Sequence, residues 1–178
     1  TGNHRSQYPV PEFIKGFPYY MKEVGYFTSN CGKKDYNFAD IERKKHEAWT
    51  MDGTVGWWKR EEGQPFFCVF NQNDSHQSRT MSKSFEWYEK MVLENLSPEQ
   101  MIRDDQFVMP PFLKDSPEMR KQFARVYNSI KLTDIRIGEL LKKLEDDGLR
   151  DDTIIFFYAD HGEGIPRGKQ NGINLSYQ

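Results

Sequence analysis

Leu149-Arg150-Asp151-Asp152-Thr153-Ile154-Ile155-Phe156-Phe157-Tyr158-Ala159-Asp160-His161-Gly162-Glu163-Gly164 holds the pattern that decides the fold. An uninterrupted apolar run, Ile154 to Tyr158, predicts a strand covered on both faces. It ends abruptly in Asp160-His161, a polar loop. Just upstream, Ser116 is a candidate N-cap, Pro117 sits at N1, and Gly148 lies where a left-handed C-terminal residue belongs. A helix from about 117 to 147 follows, with Met119, Phe123, Val126, Ile130, Ile137, Leu141 and Leu144 as its core-facing stripe. Helix, short loop, buried strand, polar loop is the order of a parallel α/β sheet.

The same order recurs upstream. Glu12 to Glu23 reads as a helix delayed or broken by Gly16 and Pro18, and Gly25 to Ser29 as a short buried strand. Phe66-Phe67-Cys68-Val69-Phe70 reads as a central strand and gives way to Asn71-Gln72-Asn73-Asp74-Ser75-His76. Ser84 to Leu96 reads as helical, and Ser97-Pro98 as a fresh cap with Pro at N1. Asp40 to Arg60, with Trp49, Trp57 and Trp58, fits either a helical excursion or an irregular loop. The fold class is therefore α/β, a mixed, mostly parallel sheet flanked by helices.

The 178 residues carry 25 Lys+Arg against 27 Asp+Glu, and 37% are apolar. A chain of this size buries about 70% of its unfolded surface, enough for one core. Near-neutral charge argues against a nucleic-acid or membrane-surface partner. No run approaches a transmembrane length. Cys31 and Cys68 are too few for a disulfide scaffold or a metal quartet. The start at Thr1-Gly2-Asn3-His4-Arg5 lacks Met, so both ends read as cut from a longer protein, and compartment stays undetermined.

Ligands of open parallel sheets sit beyond the carboxyl ends of the strands. Three predicted strands release ionisable residues there: Lys33, Lys34 and Asp35; Asp74 and His76; Asp160, His161 and Glu163, with Lys169 soon after. Acids with His suit a divalent cation, and Lys with His suits an anion. The reaction class is metal-assisted attack on a charged ester. Each piece has a plainer reading. Asp160-His161 alone is a turn, His76 alone a loop or capping histidine, and Lys33 and Lys34 solvated charge. A phosphate-binding loop at Gly162–Lys169 fails on spacing: five residues separate Gly162 from Gly168, three separate Gly164 from it, and Gln170 follows the lysine.

Taken together these residues resemble the sulfatase family of the alkaline phosphatase superfamily. Tyr19 to Thr28 is similar to its helix and "GY-x-T" strand, Gly32-Lys33 to its Gly-Lys-x-His motif, and Pro65-Phe66-Phe67 with His76 to its "PFF" strand and histidine. Tyr127 to Leu149 resembles the family's "Y…D…G…L…L…G" helix, and Thr153 to Gly162 its strand and metal loop. Pro110-Pro111-Phe112, Asp115-Ser116-Pro117 and Gly168-Lys169-Gln170-Asn171 lean toward the glycan-desulfating, sulfamidase-like branch.

The resemblance implies that Asp160 and His161 are metal ligands, with calcium the usual ion, although His is the softer donor. It implies that Lys33, His76 and Lys169 contact the sulfate, His76 also as a proton donor to the leaving group. Asp35 stands where the family motif often has His and takes a substrate-binding role, as do His4 and Arg5. The family's nucleophile is a formylglycine made in a Cys/Ser-x-Pro/Ala-x-Arg motif. Neither Cys31-Gly32-Lys33-Lys34-Asp35, Cys68-Val69-Phe70-Asn71-Gln72 nor Ser116-Pro117-Glu118-Met119-Arg120 fits it. The motif and two further metal-binding acids are therefore expected upstream of Thr1.

The expectation is thus the central part of a sulfatase catalytic domain over residues 1–178, hydrolysing a sulfate ester or N-sulfate on a carbohydrate. A phosphodiester or phosphonate monoester hydrolase of the same fold, and a non-catalytic glycan-binding relative, remain as alternatives. Relatives are typically exported (periplasmic or extracellular) or lysosomal.

Overall fold

The computed structural model describes residues 9–33, 36, 39, 47–159, 161 and 162. They belong to two compact units, Thr1–Asn71 and Gln72–Gln178.

The first unit is built on a parallel sheet of order β2-β1-β3, formed by β1 (Phe27–Cys31), β2 (Met51–Asp52) and β3 (Phe66–Phe70). Helix α1 (Phe17–Glu23) precedes β1 and begins five residues later than Glu12. Gly16 is its N-cap and lends no side-chain bond, while Pro18 sits in the first turn. The central strand is β1, not β3 as its five apolar residues suggested. Thr28 and Ser29 are fully buried, whereas every residue of β3 is half-buried. The polar side chains of β1 are tolerated because each has a partner: Thr28 Oγ1 donates to the Ala48 carbonyl at 2.9 Å and Ser29 Oγ to that of Val55 at 3.3 Å.

The period-2 alternation of β3 explains its aromatic content. Phe66 and Phe70 point to one face, where Trp57 packs at 5.8 and 5.7 Å between ring centroids. Phe67 points to the other, against Trp49 at 6.2 Å and Phe17 at 5.3 Å. Within 40–60, the described residues contain the short β2 and a 3-10 turn at Trp57–Lys59 rather than a long helix.

The second unit contains α2 (Gln77–Thr80), α3 (Phe85–Met91) and α4 (Pro117–Asp146). Ser84 caps α3 by accepting from Trp87 N at 3.2 Å. That helix ends at Met91 and gives way to a 3-10 turn at Leu93–Asn95. Ser97 starts a single turn rather than a helix, although its amide donates to Gln100 Oε1 at 2.8 Å as in a capping box. Helix α4 matches its predicted caps. Ser116 Oγ accepts from Met119 N at 3.3 Å, and Gly148, at φ 68°, lets Leu149 N reach back to Leu144 O at 3.0 Å.

Two expectations about this unit need correction. Phe123, Val126 and Leu144 of the α4 stripe are buried, but Ile130 is 44% exposed. The buried face runs through Arg125, Asn128, Ser129 and Leu132 instead. Ile130 lies about 200° round the helix from Asn128 and faces away. The core there joins Leu132 to Tyr88, Val92 and Leu96. The second correction concerns 153–158. This run forms no strand and joins no ladder among the described residues, and Ile154, Phe156 and Phe157 are 83%, 80% and 79% exposed. The apolar run signals a strand that needs neighbours, and no described strand pairs with it.

Among the described residues no helix is long and apolar enough to cross a membrane.

Candidate functional site

The carboxyl ends of β1 and β3 lie side by side, with Cys31 in register with Phe70. Asn71 staples them: its amide donates to Cys31 O at 3.0 Å and its Nδ2 to Asn30 Oδ1 at 2.8 Å. Gly32 follows at φ 115°, and a β-carbon there would stand 3.0 Å from Asn71 Cβ. Only glycine gives this turn both its left-handed backbone and its close approach. Lys33 is the next residue and is exposed. β1 and β3 thus offer adjacent carboxyl ends, and β1 releases Lys33 there.

His76 is the N-cap of α2. Its Nδ1 accepts from Ser78 N at 3.2 Å and lies 2.8 Å from Ser78 Oγ. An Nδ1 that accepts an amide proton carries none of its own, so the neutral ring holds its proton on Nε2. His76 is thus a capping histidine and, by the same bond, a ring of defined tautomer.

Asp74 has a different fate from that expected of a strand-end acid. It is 3% exposed, accepts from Arg79 Nη1 at 3.0 Å through Oδ1, and accepts from Arg136 Nη1 through Oδ2. With both oxygens taken by guanidinium groups it is not disposed to ligate a cation. The Arg79 carbonyl in turn accepts from Arg125 Nη2 at 2.6 Å. Arg125 is 2% exposed, and its guanidinium lies over the Phe85 and Tyr88 rings at 5.3 and 5.5 Å. The arginines on Asp74 were missed in the sequence. Arg125, Asn128 and Arg136 interrupt the apolar pattern of α4 at one-turn and multi-turn spacings, and that interruption was the available signal.

His161 is half-buried, with Nδ1 3.0 Å from the Gly162 carbonyl. A carbonyl only accepts, so Nδ1 is the protonated nitrogen and Nε2 the lone-pair nitrogen. Metal-bound histidines commonly hold their second nitrogen in this way, so the donor chemistry fits a cation. Among the described residues no group of three or more His, Cys, Asp or Glu side chains is arranged to hold a metal ion. His4, Arg5, Asp35, Asp160 and Lys169 lie outside the described residues. Lys33 belongs to the first unit, and His76 and His161 to the second.

Neither cysteine is bridged. Burial pushes the Cys68 thiol up, the Ser29 hydrogen bond and Arg60 opposing only in part, so Cys68 is a packed strand residue rather than a nucleophile. A cavity of about 390 Å³ lined by Gln100, Ile102, Gln106, Phe107 and Tyr127, among others, contains none of the residues singled out above.

Parallel strands β1, β2 and β3, with a Gly32-Lys33 turn after β1, define an α/β protein. The match extends much further than that: the sulfatase family model covers residues 2–176, and the chain belongs to the sulfatase family. It is 30% identical over 192 aligned positions to an ulvan-active sulfatase of Formosa agariphila, covering 92% of this chain and 32% of that protein. It is 31% identical over 64 positions to the human N-sulphoglucosamine sulphohydrolase, covering 36% of this chain and 13% of the relative. The chain therefore spans about a third of the length of the first relative and less of the second. No solved structure matches the chain.

Proposed function

We propose that this chain is the central part of the catalytic domain of a metal-dependent, formylglycine-type sulfatase that hydrolyses sulfate esters or N-sulfates on carbohydrates. The observation that carries the reading is the family match over residues 2–176, joined to relatives named for ulvan and for N-sulphoglucosamine.

In this reading Asp160 and His161 hold the divalent cation, with His161 using Nε2 because Nδ1 faces the Gly162 carbonyl. The bound cation, calcium by family resemblance, supplies Lewis-acid stabilisation of the sulfate oxygens. Lys33 and Lys169 bring positive charge to the same group, where charge builds up as the ester bond breaks. His76 donates Nε2–H to an oxygen of the ester. Its cap bond supports donation over full protonation, since a second proton on Nδ1 would displace Ser78 N. Asp35, His4 and Arg5 bind sugar hydroxyls or neighbouring charge. The formylglycine is contributed by a residue outside this chain.

Sulfate release by the full-length protein from a sulfated oligosaccharide, compared with phosphate release from a phosphodiester, tests the reading. Chelator-sensitive sulfate release is expected. Preference for the phosphodiester moves the assignment to phosphoryl chemistry, and binding without turnover makes the protein a glycan binder.

A further inference from the structure

Helix α2 spans only Gln77–Thr80, too short to hold itself together. Something else must fix the direction in which its N-cap, His76, projects. Two contacts from α4 meet this need. On the N-terminal side Asp74, two residues before His76, is buried and bound by Arg136, 62 residues away in the chain. On the C-terminal side the Arg79 carbonyl is bound by Arg125 Nη2 at 2.6 Å. Arg79 closes the loop by donating back to Asp74 at 3.0 Å. His76 therefore sits in a segment clamped at both ends to one face of one long helix.

We propose that Asp74 and Arg136 are positioning residues for His76: the ion pair that Arg136 makes to the buried Asp74 carboxylate sets the ring and its Nε2–H against the substrate ester. The inference rests on the reading of His76 as a sulfate contact and extends it to a pair that touches no substrate. A buried carboxylate cannot be left half-paired cheaply, so the segment has one stable seating. With Arg136 removed, Asp74 loses its ion pair to α4, and Arg79, which remains on it, belongs to the same segment. A displacement of about 1 Å at a catalytic group costs on the order of 100-fold in rate.

The test uses Arg136→Gln and Arg136→Lys in the full-length protein. Two quantities are read: the ring nitrogen NMR shifts of His76, which report whether Nδ1 is the bare nitrogen, and kcat and KM for sulfate release. Folded Arg136→Gln is expected to lose the bare-Nδ1 signature and to drop kcat roughly 10- to 100-fold with a smaller change in KM. Arg136→Lys, which keeps the charge without the guanidinium geometry, is expected to fall between it and wild type. Folded Arg136→Gln with wild-type shifts and wild-type kcat overturns the proposal. If Arg136→Gln does not fold, Arg136→Lys decides, and its equality with wild type in both readouts overturns it equally. Should the wild-type protein release no sulfate, the functional reading fails. The His76 shifts, read without substrate, still decide the positioning claim.

Discussion

The side-chain amide of Asn128 pairs with both backbone groups of Ile102: Oδ1 accepts from Ile102 N at 2.8 Å, and Nδ2 donates to Ile102 O at 2.9 Å. A helix side chain here does what a neighbouring strand would do for residue 102. The same Nδ2 lies 2.9 Å from Tyr88 Oη, so one buried amide joins α4, α3 and the 101–102 segment. Asn128→Ala leaves polar groups buried without partners, each worth about 1–3 kcal/mol. The expected loss is about 2–4 kcal/mol, read as a lower urea midpoint at unchanged m-value. A loss below about 0.5 kcal/mol would show that water replaces the amide.

Two glycines should respond to alanine with opposite sign. Gly138 lies inside α4, and a β-carbon there meets nothing within 4 Å. Gly138→Ala should therefore stabilise by about 0.5–1 kcal/mol through helix propensity. At Gly56 the backbone is extended, so its φ is no obstacle, but a β-carbon would lie 2.5 Å from Trp58 and 2.7 Å from Phe70. Gly56→Ala should cost about 1–3 kcal/mol by overpacking. Thermal unfolding of both variants checks the pair, and the same sign in both contradicts the packing described at these sites.

How much was legible follows from where the forces were local. The caps of α4, Ser116 and Gly148, are decided by a few neighbouring residues, and both were readable. Five apolar residues marked β3 to the residue. Its place at one side of β1 was not readable, because burial of Thr28 and Ser29 depends on Ala48 and Val55, 20 and 26 residues away. The Thr153–Tyr158 run had the composition of a strand, but a strand exists only with a partner. Lys33 after Gly32 and His76 after β3 were legible as residues beyond strand ends. The burial of Asp74 was not, because it depends on Arg136 from a distant helix.

Alkaline pH should destabilise the fold through two groups, the half-buried Cys68 and the buried Tyr88. Burial raises Cys68 above its ordinary 9.0 and Tyr88 above its ordinary 10.0. A raised acid holds its proton longer in the folded state. Its stabilising share is fully present below the unfolded value and is lost as pH rises through the folded one. The urea midpoint should be insensitive to these groups below pH 9.0 and fall above it, more steeply past 10.0. Tyr88→Phe should flatten the upper part of the fall. On the acid side the sign reverses: the Arg120 guanidinium holds the Asp115 carboxyl below its ordinary 3.8, so that share is lost as pH drops through the lowered value. An alkaline limb unchanged in both Cys68→Ala and Tyr88→Phe would assign it to other groups.

Lys169 is expected to act on charge that develops only as the ester bond breaks. Lys169→Ala should therefore lower kcat for sulfate release by about 10²- to 10³-fold, the range for losing one such donor. The thermal midpoint should move by less than a few degrees. Lys169→Arg keeps the charge but not its shape and should recover part of the rate. If Lys169→Ala unfolds the protein instead, the lysine is structural and leaves the catalytic set.

Asp160 and His161 follow the apolar run 153–158, and both are expected to ligate a cation. A direct ligand differs from an outer-shell partner in the size of its effect: outer-shell losses typically cost about 10–100-fold. Asp160→Ala in the full-length protein should exceed that in sulfate release, with helical circular dichroism unchanged. Metal content per protein, read by elemental analysis, should fall in the same variant. Chelation of the wild type should match the loss, and added calcium should restore the wild type but not Asp160→Ala. Because His161 donates Nδ1–H to a carbonyl and offers Nε2, His161→Gln should lose metal as well. Retained metal and turnover in Asp160→Ala would remove the assignment of both residues and leave 160–162 as a turn.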